Sequence, residues 1–273
     1  MTPSTRKCWS ALVGAETVTT DTFAFADEEA LAEAACTLAL EKVQEALGER
    51  NRAIVVLAGG NTPRATYRLL ARSIVRKRIP AERLLWLFGD ERWVLVDDPQ
   101  SNEGMARESL LHPIGAPAST VLSWEAGRGD PVGCAERYGA KAADAMLGQN
   151  ADLVFLGLGS DGHTASLFPD AMVHFSSGRT VAAGPQVPGF AVAVHSLTAK
   201  GWRLTLCPGV LNAGRTVVFL VAGAEKSSAL KRTRGGDPAT PAAWIRGERT
   251  VFMATRDALG IENADFGRDV RHG

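Results

Sequence analysis

The segment GLGSDGHTASLFP at 157–169 sets an aspartate and a histidine, Asp161 and His163, on one glycine-rich turn. Histidine changes charge near neutral pH, so it can take a proton from water and give it back, and a nearby carboxylate can orient its ring. His163 is therefore a candidate general base and Asp161 its orienting partner. The alternative is a histidine that only satisfies a backbone group, since GxGxxG-like spacing is common. A dinucleotide fingerprint fits poorly. It belongs in the first βα unit with an acidic residue about 20 positions on, whereas this turn lies past mid-chain and 181–186 holds no acid.

Three other constellations carry chemistry. Gly59-Gly60-Asn61-Thr62-Pro63 follows an apolar run. Its two glycines let backbone amides turn toward a ligand, Thr62 is placed as an N-cap and Pro63 as the first helical residue. A phosphate can sit on the free amides at the positive end of such a helix; an ordinary capped βα turn is the alternative. Gly89-Asp90-Glu91-Arg92 ends another apolar run with two carboxylates and a guanidinium. That suits a polar substrate, with Arg92 binding or polarising an oxygen, or equally a surface turn with a local ion pair. Arg203 opens a strand-like run and Lys226 follows another. Taken singly each is a solvated charge, but positions just after parallel strands gather at one sheet edge, which would bring Lys226 to the Gly59–Thr62 turn. His112, His174 and His195 are isolated in sequence, so no metal or cofactor is expected.

The elements that must position these residues follow from apolar spacing. A helix is expected over Asp27–Leu47, with an acidic first turn and an end at Gly48, and others over Ser101–Leu111, Pro131–Leu147 and Ala224–Lys231, with a further helical stretch after Pro63. Ala53–Ala58, Leu84–Phe88, Asp152–Leu158, Phe190–His195, Arg203–Cys207 and Thr216–Ala222 read as strands. Strands alternating with helices imply a mostly parallel sheet covered on both faces. His163 then emerges at the carboxyl end of its strand, where open α/β sheets bind ligands. Residues 170–189 are rich in small residues and are expected to form a mobile loop, and 263–273 a frayed tail.

Composition narrows the classes. A chain of 273 residues can bury a large core, and the repeated helix and strand signals favour one domain over two. Thirty basic and thirty acidic residues cancel, which leaves no global field to draw in nucleic acid or an anionic membrane. Any anionic ligand must be held by local cations and amides. Cys8, Cys36, Cys134 and Cys207 form no CxxC pair, arguing for reduced thiols rather than disulfides or a zinc knuckle. With no signal-peptide pattern and no stretch of roughly 20 apolar residues, a soluble cytoplasmic protein is expected, a monomer or small homo-oligomer.

Taken in order, four blocks make the chain resemble the 6-phosphogluconolactonase family, within the fold group of glucosamine-6-phosphate deaminases and ribose-5-phosphate isomerases. They are LAGGNTPRATYRLLA (57–71), FGDERWVLVDDPQSNEGMARESLL (88–111), ADLVFLGLGSDGHTASLFP (151–169) and RLTLCPGVLNAGRTVVFLVAGAEKSSALK (203–231). The resemblance implies a single three-layer αβα sandwich with a mostly parallel, Rossmann-like sheet, a small antiparallel extension being allowed. It implies hydrolysis of 6-phospho-D-glucono-1,5-lactone, with His163 as acid/base residue and Asp161 and the cluster Asp90, Glu91 and Arg92 lining the pocket. Gly59, Gly60, Asn61, Thr62, Arg203 and Lys226 are implied to serve the substrate phosphate. Deaminases of this group typically carry a glutamate one place before the proline where this chain has Phe168, which favours the lactonase. A deaminase-like enzyme and a non-catalytic sugar-phosphate sensor are the alternatives. The chain departs from the pattern with Asn61 in place of serine, Leu95 in place of proline, and Leu197–Trp202 in place of a proline-rich stretch, expected to alter the substrate rim.

Overall fold

A computed structural model describes residues 19–261, so the expectations placed on Cys8 and on the tail 263–273 lie outside the described residues. The first half alternates strand and helix. Strand β1 (Thr19–Phe25) leads to helix α1 (Glu28–Arg50), β2 (Ala53–Leu57), helix α2 (Asn61–Arg76) and β3 (Leu84–Phe88). Asp27 caps α1 by accepting the Ala30 N–H at 2.8 Å. The helix does not stop at Gly48. That glycine faces open space and costs only its own freedom, and the chain turns instead at Asn51, which adopts the left-handed conformation at φ 58°.

A short strand β4 (Asp90–Arg92) follows β3 directly, then α3 (Asn102–Ala106), which passes into one π-helical turn over Arg107–Leu111, and α4 (Pro131–Met146). The remaining elements are β5 (Leu153–Gly157), β6 (Met172–His174), β7 (Thr180–Ala182), β8 (Ala191–Ser196), β9 (Gly201–Leu206), α5 (Pro208–Asn212), β10 (Thr216–Val221), α6 (Ser227–Arg234) and β11 (Arg249–Thr255).

Six strands form a parallel sheet in the order β1-β11-β10-β5-β2-β3. β2, β3 and β10 are buried along their whole length, as an apolar run covered on both faces must be. From β2 the chain moves outward to β3, then returns to the other side of β2 at β5 and continues to β10 and β11. The strand order therefore reverses between β2 and β5, which opens a crevice at their carboxyl ends.

A second, antiparallel sheet has the order β4-β9-β8-β6-β7. β8 and β9, read from sequence together with β10, belong here and not to the parallel sheet. Only 197–200 join them, a link that allows a hairpin but no parallel crossover. The segment 170–189 is likewise not a structureless loop: β6 and β7 form a hairpin that adds to β8, with Val173 opposite Val194, both fully buried. Ala193, Leu204 and Leu206 of this sheet join the same apolar core as the parallel sheet. Among the described residues, no helix is long and apolar enough to cross a membrane.

Candidate active site

The glycine turn and the histidine turn leave adjacent strands. β2 and β5 pair at Val55 with Leu153 and at Val56 with Val154, and the ladder ends there. The chain then leaves β2 through Gly59-Gly60 and β5 through 158–163, one on each side of the crevice. Two tyrosines, the full complement of the chain, lock neighbouring strand ends. The Tyr67 hydroxyl accepts the Ala58 N–H at 2.8 Å and donates to the Ala58 carbonyl at 3.0 Å. Tyr138 treats Phe88, the last residue of β3, the same way at 2.9 and 3.1 Å. Burial pushes both phenols up in pKa, so both hydroxyls keep their donated proton.

Helix α2 begins two residues earlier than its sequence suggests. Gly60, at φ 106°, occupies the cap position, so Asn61 is the first helical residue and Thr62 and Pro63 are the second and third. A glycine can take this conformation at little cost, and the turn tightens accordingly. No side chain caps this end, which leaves the first amides of a 16-residue helix facing the crevice. Gly59 is required for a different reason: a Cβ there would lie 1.8 Å from Asn102 Oδ1.

His163 is held at both ring and backbone by one oxygen. Asp161 Oδ1 lies 2.6 Å from His163 Nδ1 and accepts the His163 N–H at 3.0 Å. With the Nδ1 proton donated to a carboxylate, the imidazole lone pair resides on Nε2. The turn is closed by the Gly159 N–H to the His163 carbonyl at 2.8 Å and by Thr164 Oγ1 to the Gly157 carbonyl at 2.7 Å. The Phe168 ring packs on the imidazole at 4.3 Å between centroids. Burial alone would raise the Asp161 carboxyl, but the hydrogen bonds from His163 and its charge outweigh burial and hold it below the ordinary carboxylate value.

The third wall is β4 against β9. Arg92 stands directly opposite Arg203, and Asp90 opposite Thr205, so these four residues share one face of the antiparallel sheet. Burial, and then the Arg92 charge, hold the Arg203 guanidinium below its ordinary pKa. Among the described residues neither arginine has a carboxylate ion partner. Arg92 donates to the Gln100 carbonyl at 2.5 Å, and Arg203 to the carbonyls of Ala199 and Trp202 at 2.9 and 3.1 Å. Two like charges placed opposite each other cost stability, and an anion between them would recover it. The altered stretch 197–202 thus supplies the hairpin turn and the first two residues of β9, which together seat Arg203.

Glu91 points the other way and is 1% exposed. It accepts the N–H groups of Arg92, Asn102 and Glu103 at 2.7 to 2.8 Å and the Ser101 hydroxyl at 3.0 Å. Burial drives its carboxyl up to about 7, those hydrogen bonds pulling against it. Asp90 and Glu91 thereby grip Asn102 from two sides. Sequence reading named the 90–92 cluster, of which Glu91 turns away from the face that Asp90 and Arg92 share, and missed Asn102 and Ser166 as site-building residues, because a lone Asn or Ser in a polar segment has no periodic signal. Lys226 lies beyond the end of β10 at the same sheet edge. Its ion pair is with Glu225 at 3.9 Å, and among the described residues no hydrogen bond joins it to the other candidates. A groove of about 490 Å³ opens beside Arg68, Arg72 and Val75 and shares no residue with this cluster. Among the described residues no group of three metal-ligating side chains is found.

The fold defines an α/β protein with a polar crevice at a strand-order reversal. It matches the 6-phosphogluconolactonase structure from Thermotoga maritima with a TM-score of 0.71 at 27% identity, over 87% of this chain and all of that one. A monomeric glucosamine-6-phosphate deaminase shares the fold alone, with a TM-score of 0.72 at 19% identity over 89% of this chain and all of that one. The chain belongs to the glucosamine-6-phosphate isomerase/6-phosphogluconolactonase family, whose model matches residues 26–253. A 6-phosphogluconolactonase from Synechocystis sp. is 34% identical over 210 residues, 75% of this chain and 80% of the relative.

Proposed function

We propose that this protein hydrolyses 6-phospho-D-glucono-1,5-lactone to 6-phospho-D-gluconate, the second step of the oxidative pentose phosphate pathway, in the cytoplasm and without a cofactor. The observation that carries the reading is the Asp161–His163 pair, its Nε2 lone pair free, across a crevice from an uncapped helix end, together with two facing arginines that have no carboxylate partner among the described residues. Phe168 stands against the imidazole where a deaminase of this group would carry its carboxylate.

In this mechanism the substrate phosphate binds the amides of Gly60, Asn61 and Thr62 together with Arg203 and Lys226. Binding energy from that remote group orients the lactone carbonyl. His163 Nε2 removes a proton from water as the water oxygen bonds to C1, and Asp161 stabilises the imidazolium that forms. The carbonyl oxygen becomes an oxyanion, stabilised by Arg92 or by the backbone amides of 159–162. Collapse of the tetrahedral intermediate breaks the bond from C1 to the ring oxygen, and the imidazolium returns its proton to that oxygen. The product is an open-chain acid, and no bond to the protein forms.

A coupled assay with freshly generated phosphorylated lactone and with plain gluconolactone tests the reading. A strong preference for the phosphorylated form is expected. Ammonia release from glucosamine 6-phosphate with no lactonase activity would overturn it.

A further inference from the structure

β2 and β5 stop pairing at Val56 and Val154, before either turn begins. Their own ladder therefore does not fix how far the glycine turn stands from His163. A polar chain with buried ends bridges that gap through a third strand. Asp90 Oδ1 accepts from Asn102 Nδ2 at 3.1 Å, and the same nitrogen donates to the Asp90 carbonyl at 3.0 Å. Asp90 Oδ2 accepts from Ser166 Oγ at 2.7 Å. Asn102 and Ser166 are 2% and 1% exposed. Asn102 lies against Gly59, closely enough that a side chain there would overlap it. Ser166 is three residues past His163, and its own N–H donates to Thr205 Oγ1 at 3.4 Å on the same sheet face.

We infer that Asn102 and Ser166 are positioning residues that act through Asp90, so that the chain Gly59–Asn102–Asp90–Ser166 sets the separation between the phosphate-facing turn and the catalytic histidine. Each carboxylate oxygen serves one side: Oδ1 takes the wall beside the glycine turn and Oδ2 the loop that carries His163. A donor bonded to a carboxylate is held more firmly than one bonded to a neutral group. The half-buried carboxylate of Asp90 is thus suited to a spacer whose two ends belong to different strands. Glu91 completes the device by fixing the Asn102 backbone from the opposite face of β4.

The inference rests on the lactonase reading for its kinetic arm alone, and hydrogen exchange tests it independently. Asn102→Ala and Ser166→Ala are compared singly and in an Asp90→Ala background. Amide exchange over 159–167 is expected to speed up about tenfold or more in Asn102→Ala, although Asn102 makes no hydrogen bond to that segment. For phosphorylated lactone, kcat should fall about tenfold in each single variant with KM changed less than about threefold, because orientation is lost rather than contact. In the Asp90→Ala background neither replacement should add anything, since residues acting through one partner are not additive. Unchanged exchange at 159–167 in Asn102→Ala, or effects that persist in full without Asp90, would overturn the inference. Should Asn102→Ala fail to fold, Asn102→Ser removes the same donor with a smaller cavity and carries the same comparison. If the wild type does not turn over the lactone, the lactonase reading fails while the exchange result still decides the spacer.

Discussion

Replacing Tyr67 by phenylalanine removes a single oxygen and tests how the site is anchored. That hydroxyl is the partner of both the N–H and the carbonyl of Ala58, the residue immediately before Gly59. Tyr67 is 0% exposed and Ala58 7%, so bulk water does not readily replace the lost oxygen. Leaving a buried backbone group without a partner costs about 1–3 kcal/mol, and two are orphaned, so a loss of about 3 kcal/mol is expected. For a chain of this size that corresponds to a fall in Tm of roughly 6–12 °C. Tyr138→Phe should cost a similar amount, since it orphans the same two groups of Phe88 at the end of β3. Urea unfolding of the wild type and both variants measures the loss. Activity supplies a second readout: because Ala58 leads into the glycine turn, KM for the phosphorylated lactone should rise more than KM for the plain lactone. A stability loss below about 0.5 kcal/mol in Tyr67→Phe would refute the assignment of the hydroxyl as the strand-end anchor, since it would mean that Ala58 finds other partners at no cost.

His163→Ala should lower kcat by about 10²–10⁴ while leaving the unfolding midpoint nearly unchanged, checked by initial rates on fresh lactone corrected for spontaneous hydrolysis. Arg203→Gln relieves the repulsion with Arg92. Its Tm should therefore equal or exceed that of the wild type, while the rise in Tm that inorganic phosphate produces in the wild type should shrink. The Glu91 carboxyl titrates at about 7 in the folded protein, above its unfolded value of 4.5. A group raised in this way contributes stability that is fully present below pH 4.5 and is lost as pH rises through 7, about 3 kcal/mol in all. Urea midpoints of the wild type and Glu91→Gln at pH 4.5, 6 and 8 should therefore converge or cross in favour of the variant as pH rises, and a constant difference would count against this.

Local pattern was enough to locate what depends on local pattern. The apolar runs at 53–58, 84–88 and 152–158 became β2, β3 and β5 with ends shifted by one residue at most, because a continuous apolar run bounded by glycine has few alternatives. The edge strand β1, with its polar Thr19-Thr20-Asp21-Thr22, and β11 carried no such bounded signal and were not read. Nor did small residues at 170–189 reveal β6 and β7, whose partner is the edge of β8.

The sequence by itself determined which residues are the candidates for chemistry: a histidine two places from an aspartate, a glycine pair before a helix, and a charged strand end. Each is a short-range arrangement whose geometry its neighbours nearly dictate. Tertiary structure alone decided what stands opposite what. Arg92 faces Arg203 across 111 positions of chain only because β4 pairs with β9, and Asp90 reaches Ser166 only because the strand order reverses between β2 and β5. Long-range pairing is set by burial of whole elements against one another, a sum over many residues that no local spacing records.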